Sequence, residues 1–198
     1  CKSNPDLEPE TAVGYSASME KWLFDRAIMF NLGYFRNDVD EMVVGEDTGE
    51  TYNGLPLREY RNVEEAWTQG LEFMCRTYMA EEFSAFLSYT YTDSENEEIG
   101  KELTYTPKHV FSLSPAYELE RYGLGTSATV SYISKQYKDS DNTDKIYGHT
   151  VVDAKIYKYL SDKGKLSFEV DNVFDSDKGD DDSFRTGRTF TAKLDIFF

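Results

Sequence analysis

Apolar and polar residues alternate with a period of two along most of the chain, the spacing of β-strands and not of helices. Val13, Tyr15, Ala17 and Met19 sit on odd positions with small or polar residues between them. Ile28, Phe30, Leu32 and Tyr34 repeat the pattern, as do Leu71, Phe73 and Cys75. Phe83 to Tyr91, Phe111 to Tyr117, Leu124 to Tyr132 and Val152 to Leu160 continue it. Leu166, Phe168 and Val170 form another run, and Phe190, Ala192, Leu194, Ile196 and Phe198 close the chain. The alternation predicts nine antiparallel strands and an all-β fold.

The predicted connections are short and long by turns. Short ones fall near 23–25, 79–82, 120–123 and 161–164, and long loops near 37–58, 93–107, 138–147 and 175–186. Short turns at one end and long loops at the other are the habit of an outer-membrane barrel. The charge follows the same division. Of the net −16, −14 lies in 37–50, 91–103, 138–145 and 175–186, so the strands are nearly neutral. Such a balance excludes nucleic acid as a partner, because phosphate binding needs clustered Lys and Arg. No run approaches the ~18 apolar residues of a membrane helix, although strands that alternate would never produce such a peak. Aromatic residues make up 15% of the chain, too many for a disordered acidic segment.

The face opposite the apolar one decides between water and lipid. It carries Ser, Thr, Gly and Asn with sparse charges of both signs: Glu72, Arg76, Asp153, Lys155, Glu169, Asp171, Lys193 and Asp195. That suits a wet lumen in which neighbouring strands pair their charges, while the apolar set meets lipid. Tyr34, Tyr89, Tyr91, Tyr117 and Tyr132 fall near strand ends on the apolar face, where amphipathic rings favour the membrane–water boundary. Phe190, Leu194, Ile196 and the terminal Phe198 resemble the signal read by the outer-membrane assembly machinery. Nine antiparallel strands start and finish in the same direction, so closing on themselves would need a parallel pair; single-chain barrels close with even counts.

Several stretches resemble one family. Asn4-Pro5-Asp6-Leu7-Glu8-Pro9-Glu10 is similar to a segment that opens a late barrel strand in TonB-dependent outer-membrane receptors. Tyr60, Asn62, Ala66, Gly70 and Glu72 match the approach to the next strand; Tyr89 to Asp93, then Leu103, Pro107 and His109, match another. Asp171-Asn172-Val173-Phe174-Asp175 resembles an Asn-Leu-Phe-Asp element with Val for Leu, and Gly187-Arg188 opens the last strand. The resemblance spans nearly the whole chain and implies the C-terminal nine strands of a transmembrane barrel of 22 strands around a plug. No stretch of the chain resembles the plug itself.

The resemblance further implies uptake of a scarce external small molecule, a siderophore-bound iron, a cobalamin or a glycan, driven by the TonB system through the plug. The expected partners are outer-membrane lipid, lipopolysaccharide, the missing strands and the plug. Glu72 and Arg76, four apart on one strand face, are the first candidates for plug or neighbouring-strand pairing. No cofactor is expected, although Ca²⁺ on the acidic loops is a candidate, foremost at Asp180, Asp181 and Asp182. That run lacks the spacing of a recognised calcium loop. Enzymatic chemistry is not expected: the chain has two histidines, His109 and His149, and no Gly-x-Ser-x-Gly elbow.

Alternatives are a small adhesin or porin-like barrel of eight or ten strands and, further off, a soluble glycan-binding domain. Cys1 is compatible with a lipid anchor or with a start inside a longer protein. Cys75 is expected to pack on the apolar face with no bond to Cys1.

Overall fold

A computed structural model describes residues 2–80, 82–176 and 187–197, except the side chains of 46, 47, 63, 64, 79 and 80. Its strands are β1 (Thr11–Leu23), β2 (Ile28–Tyr52), β3 (Leu55–Ala80), β4 (Phe83–Asn96), β5 (His109–Leu119), β6 (Leu124–Ile133), β7 (Gln136–Tyr137), β8 (Lys145–Ile146), β9 (His149–Ser161), β10 (Gly164–Asp171) and β11 (Thr189–Ile196). Nine of them make one sheet in the order β1-β2-β3-β4-β5-β6-β9-β10-β11, and β7 and β8 form a separate small hairpin between β6 and β9. Every pairing within these sheets is antiparallel, each strand of the large sheet lying beside its neighbour in sequence. The nine strands are those that the alternation predicts. Among the described residues β1 and β11 each have one neighbour in this sheet, which is therefore open.

Register carries the apolar positions onto one face. A row runs Met19–Leu32–Phe73–Tyr89–Phe111–Tyr132, and a second runs Leu87–Leu113–Val130–Val152. Farther along, Ala154, Val170 and Phe190 stand side by side. This face has no cover in the chain. Met19 is 67% exposed, Leu194 58% and Phe190 64%, and the only buried apolar residues among those described are Met29, Ala66 and Leu103. Burying one such side chain is worth about 1.5–3 kcal/mol, so the sheet leaves its main source of stability to the surroundings. Lipid is the medium that supplies it.

The tyrosines mark the edges of this apolar band. Tyr34, Leu71, Tyr91 and His109 form a row toward the long connections, and Tyr117 lies beside Phe83 at the other end. From Phe83 to Tyr91 the strand rises by roughly 27 Å, close to the apolar height of a transmembrane barrel. The Cys75 thiol is free and sits between Phe30 and Leu87 on the same face; Cys1 lies outside the described residues.

Two of the short connections are tight turns. At 24–26 Phe24, Asp25 and Arg26 all take positive φ, and the 3-10 turn Glu120–Tyr122 ends on Gly123 at φ 57°. The long connections depart from the sequence reading. The stretch expected as a loop at 37–58 is a hairpin in which β2 and β3 stay paired to Tyr52 and Leu55. Asn53 (φ 52°) and Gly54 (φ 79°) close it, a two-residue turn whose twist matches that of the strands. Likewise β4 runs on to Asn96 before a turn closed by Gly100 N–H on the Asn96 carbonyl, and 138–147 contains β8.

The polar face is thin where the rings lie flat. A Cβ at Gly125 would stand 2.3 Å from the Tyr157 ring, and one at Gly70 would stand 2.0 Å from the Tyr91 carbonyl oxygen. Leu113→Arg on the apolar face lowers stability by about 2–4 kcal/mol. Ser112→Arg, one residue away on the polar face, changes it by less than ~1 kcal/mol. Urea titration of detergent-folded protein reads both; equal effects would contradict the assignment of faces.

Candidate functional site

Two places concentrate polar chemistry: the polar face of the sheet and the structured outer connections. On the polar face β9, β10 and β11 place six of the eight predicted charges beside partners. Lys155 Nζ meets Glu169 Oε2 at 3.2 Å, across a register pair. Asp195 receives Lys193 at 2.6 Å and Lys165 at 3.7 Å. Asp171 accepts the Thr189 hydroxyl at 2.8 Å, and Asp153 accepts the Asn172 backbone N–H at 2.8 Å. These ion pairs are partly exposed and each is worth at most ~1 kcal/mol, so they order the wall more than they stabilise it.

Glu72 and Arg76 are not brought together. Arg76 stacks its guanidinium 5.5 Å from the centre of the Phe86 ring, and Glu72 has no ion-pair partner among the described residues. Lys165 is a member of the wall that the sequence reading missed; its place between Gly164 and Leu166, in step with Ser167, was the available signal. Its ammonium also lies 5.7 Å and 5.9 Å from the Tyr157 and Tyr159 rings. Phe190, Leu194 and Ile196 are exposed on the lipid face of β11, and Phe198 lies outside the described residues.

Side-chain amides tie the outer connections together. Asn142 accepts the Glu102 N–H at 2.8 Å and donates to the Glu102 carbonyl at 3.0 Å, joining the β7–β8 hairpin to the segment before β5. Asn62 does the same for the start of the chain, accepting the Glu8 N–H and donating to the carbonyls of Glu8 and Glu41. Lys108 is held by Glu102 at 3.0 Å and Asp93 at 3.6 Å. The hydrogen bond to Glu102 outweighs the cost of burial and raises the lysine above its ordinary pKa. Burial opposes ionisation of Asp139, but the Thr143 hydroxyl and the N–H groups of Asp144 and Thr143 overcome it and hold the carboxyl below its ordinary value.

Between these connections lie open cavities. One of about 340 Å³ is bounded by Gly45 and Arg58 of the β2–β3 hairpin and by Lys138, Asp139, Asp141 and Asp144. Another of about 440 Å³ lies among Glu102, Lys108, His109, Tyr132, Ser134 and Lys135. Asp180, Asp181 and Asp182, the candidate Ca²⁺ ligands, lie outside the described residues. Among the described residues no three acidic, His or Cys side chains converge as a metal site.

A model of the family described as TonB dependent receptor-like, beta-barrel, matches residues 2–173. The chain belongs to this family. As a TonB-dependent receptor barrel it is an outer-membrane protein, and its relatives carry names of that kind. It is 24% identical over 177 residues to the vitamin B12 transporter BtuB of Photobacterium profundum, covering 88% of this chain and 28% of that protein. It is 26% identical over 211 residues to the iron-regulated outer membrane virulence protein of Vibrio cholerae, covering 98% and 32%. The solved structure of the copper transporter OprC superposes with a TM-score of 0.79 at 18% identity, over 98% of this chain and 32% of that one. The chain thus spans about a third of the length of the proteins it matches.

Asp139→Ala removes the acceptor that orders 139–144 and speeds amide exchange at Thr143 and Asp144 about five-fold, the worth of a lost cap. The same protection is full above the unfolded carboxyl value of 3.8 and fades as the pH falls through the lower folded value. Protection relative to the intrinsic exchange rate that is lost already between pH 6 and 5 would contradict this.

Proposed function

We propose that this chain is the late part of the barrel wall of an outer-membrane receptor for TonB-dependent uptake of a scarce external ligand. The observation that carries the reading is the match of the barrel family over 2–173, joined to a sheet whose apolar face lies bare. In this reading the missing strands and the plug belong to the same receptor, and the TonB system acts on the plug. The outer connections form part of the ligand surface, and the polar face lines the path. Glu72 and Arg76, which lack ion partners in the described wall, are the residues proposed to meet the plug.

The ligand is proposed to be a siderophore-bound iron, a cobalamin or a glycan. The negative charge of the outer connections repels bare anions and tolerates cationic or metal-bearing ligands. The β2–β3 hairpin, with Arg58 on the cavity it shares with 138–144, is the element most exposed to an arriving ligand.

Uptake by cells that carry the whole receptor tests the reading. Radiolabelled cobalamin and ferric siderophores are offered with and without a functional TonB system. Accumulation of one of them falls to background when TonB is lost, while binding to the surface persists. Shortening the hairpin by removing 46–57 lowers binding with the barrel still folded. Entry of small solutes at a rate indifferent to TonB would instead mark a porin-like barrel.

A further inference from the structure

The β2–β3 hairpin leaves the wall along one line. Pairing of β2 with β1 ends at Asp40, whose partner on β3 is Glu65, and pairing of β3 with β4 ends next to it at Ala66. Beyond that line the hairpin has neither wall strand beside it. Glu41 is the first residue of β2 past it and takes φ 56°, a left-handed conformation that glutamate rarely adopts. No slip of register accounts for this, since Asp40 pairs with Glu65 and Met42 with Val63 in the same step. Backbone strain at the point where an element leaves its support is the geometry of a hinge.

The segment 2–10 straps the hairpin across. Lys2 N–H donates to the Arg58 carbonyl at 2.7 Å, its ammonium meets Glu59 at 3.5 Å, and Asn4 Nδ2 donates to the Tyr60 carbonyl at 2.9 Å. Those groups lie on the β3 edge. At the other end of the segment, Glu10 Oε2 accepts the Val43 N–H on the β2 edge at 3.3 Å. Asn62 stands between the two ends. Its amide oxygen accepts the Glu8 N–H at 2.9 Å, and its Nδ2 donates to the Glu8 carbonyl at 2.9 Å and to the Glu41 carbonyl at 2.6 Å. One side chain thus joins the strained residue to the strap.

We propose that Glu41 is the hinge of the β2–β3 hairpin and that Asn62, locked by 2–10, is the positioning residue that sets its angle. The arm from Glu41 to Tyr52 is roughly 36 Å long, so a swing of ~15° at the hinge moves its tip by roughly 9 Å. Gly45 and Arg58 ride on this arm, whereas Asp139, Asp141 and Asp144 do not. The angle therefore sets the width of the cavity of about 340 Å³ between them. Hinge and clamp rest on this geometry alone; that the width matters for capture rests on the uptake reading.

Double electron–electron resonance on the whole receptor in detergent tests this. Native cysteines are replaced by Ser, and nitroxides are placed at Glu50→Cys and Asp141→Cys, across the cavity. Asn62→Asp keeps the shape and the acceptor of the side chain but loses both donors. In that variant the main distance shifts by roughly 5 Å or more, or its distribution widens about two-fold. Glu41→Val, which disfavours positive φ, does the same with Asn62 intact. Glu41→Gly, which accepts positive φ, keeps the wild-type distance. A second label pair inside the wall, at Tyr15→Cys and Leu166→Cys, keeps its distance in every variant. Heat-modifiable migration confirms that each variant is folded. Wild-type distances across the cavity in folded Asn62→Asp and Glu41→Val would overturn the proposal, whatever uptake shows. So would equal changes in the wall pair, which would mark a general loosening of the barrel.

Discussion

The strands of the large sheet satisfy their backbone by pairing with neighbours, and that pairing leaves their apolar side chains with nothing to pack against. The rest of the structure follows from this one constraint. A soluble sheet would meet a second layer; here three buried apolar residues are all that the described chain offers as an interior. The row from Met19 to Tyr132 is continuous across its strands because register holds it so, and a slip by one residue would turn all of it to the wet side. Lipid then takes the place of a core, and the opposite face is free to be polar.

The free edges of β1 and β11 carry the same logic sideways. In hydrocarbon an unmet N–H or C=O costs several kcal/mol, so a wall with two open edges is stable there only beside further strands. The matched proteins are about three times as long as this chain. On the polar face, the ion pairs of β9 to β11 are made inside the wall itself, whereas Arg76 lies over the Phe86 ring and Glu72 has no ion-pair partner among the described residues.

Most of the wall was legible in the sequence, since burial on one side writes a two-residue period into each strand. Lys155 and Glu169 could be placed on the polar face by that period, but their pairing depends on cross-strand register, which the period does not encode. For Glu72 and Arg76 the period marks the polar face, but it names no partner: residues four apart on a strand stand roughly 13 Å from each other, so each must look beyond the other for one. The β2–β3 hairpin shows no strand period because 38–50 is acidic and stands in water, where no apolar stripe is required. Asn53-Gly54 was the legible signal there, a dipeptide suited to positive φ at both turn positions. Asn62 and Asn142, which bind the outer connections through their amides, carry no pattern that distinguishes them from solvated asparagines.

That hairpin has a thermodynamic consequence for any molecule that binds against it. Ordering a flexible loop around a ligand costs about 1–2 kcal/mol of backbone entropy for each residue fixed. In this chain the freedom of the stretch from Asn37 to Arg58 is already given up when β2 pairs with β3. A molecule that lands against Arg58 therefore meets a surface whose disorder was removed during folding, and more of its contact energy remains as affinity. For something present at low concentration, a stiff arm is a better collector than a long loose one.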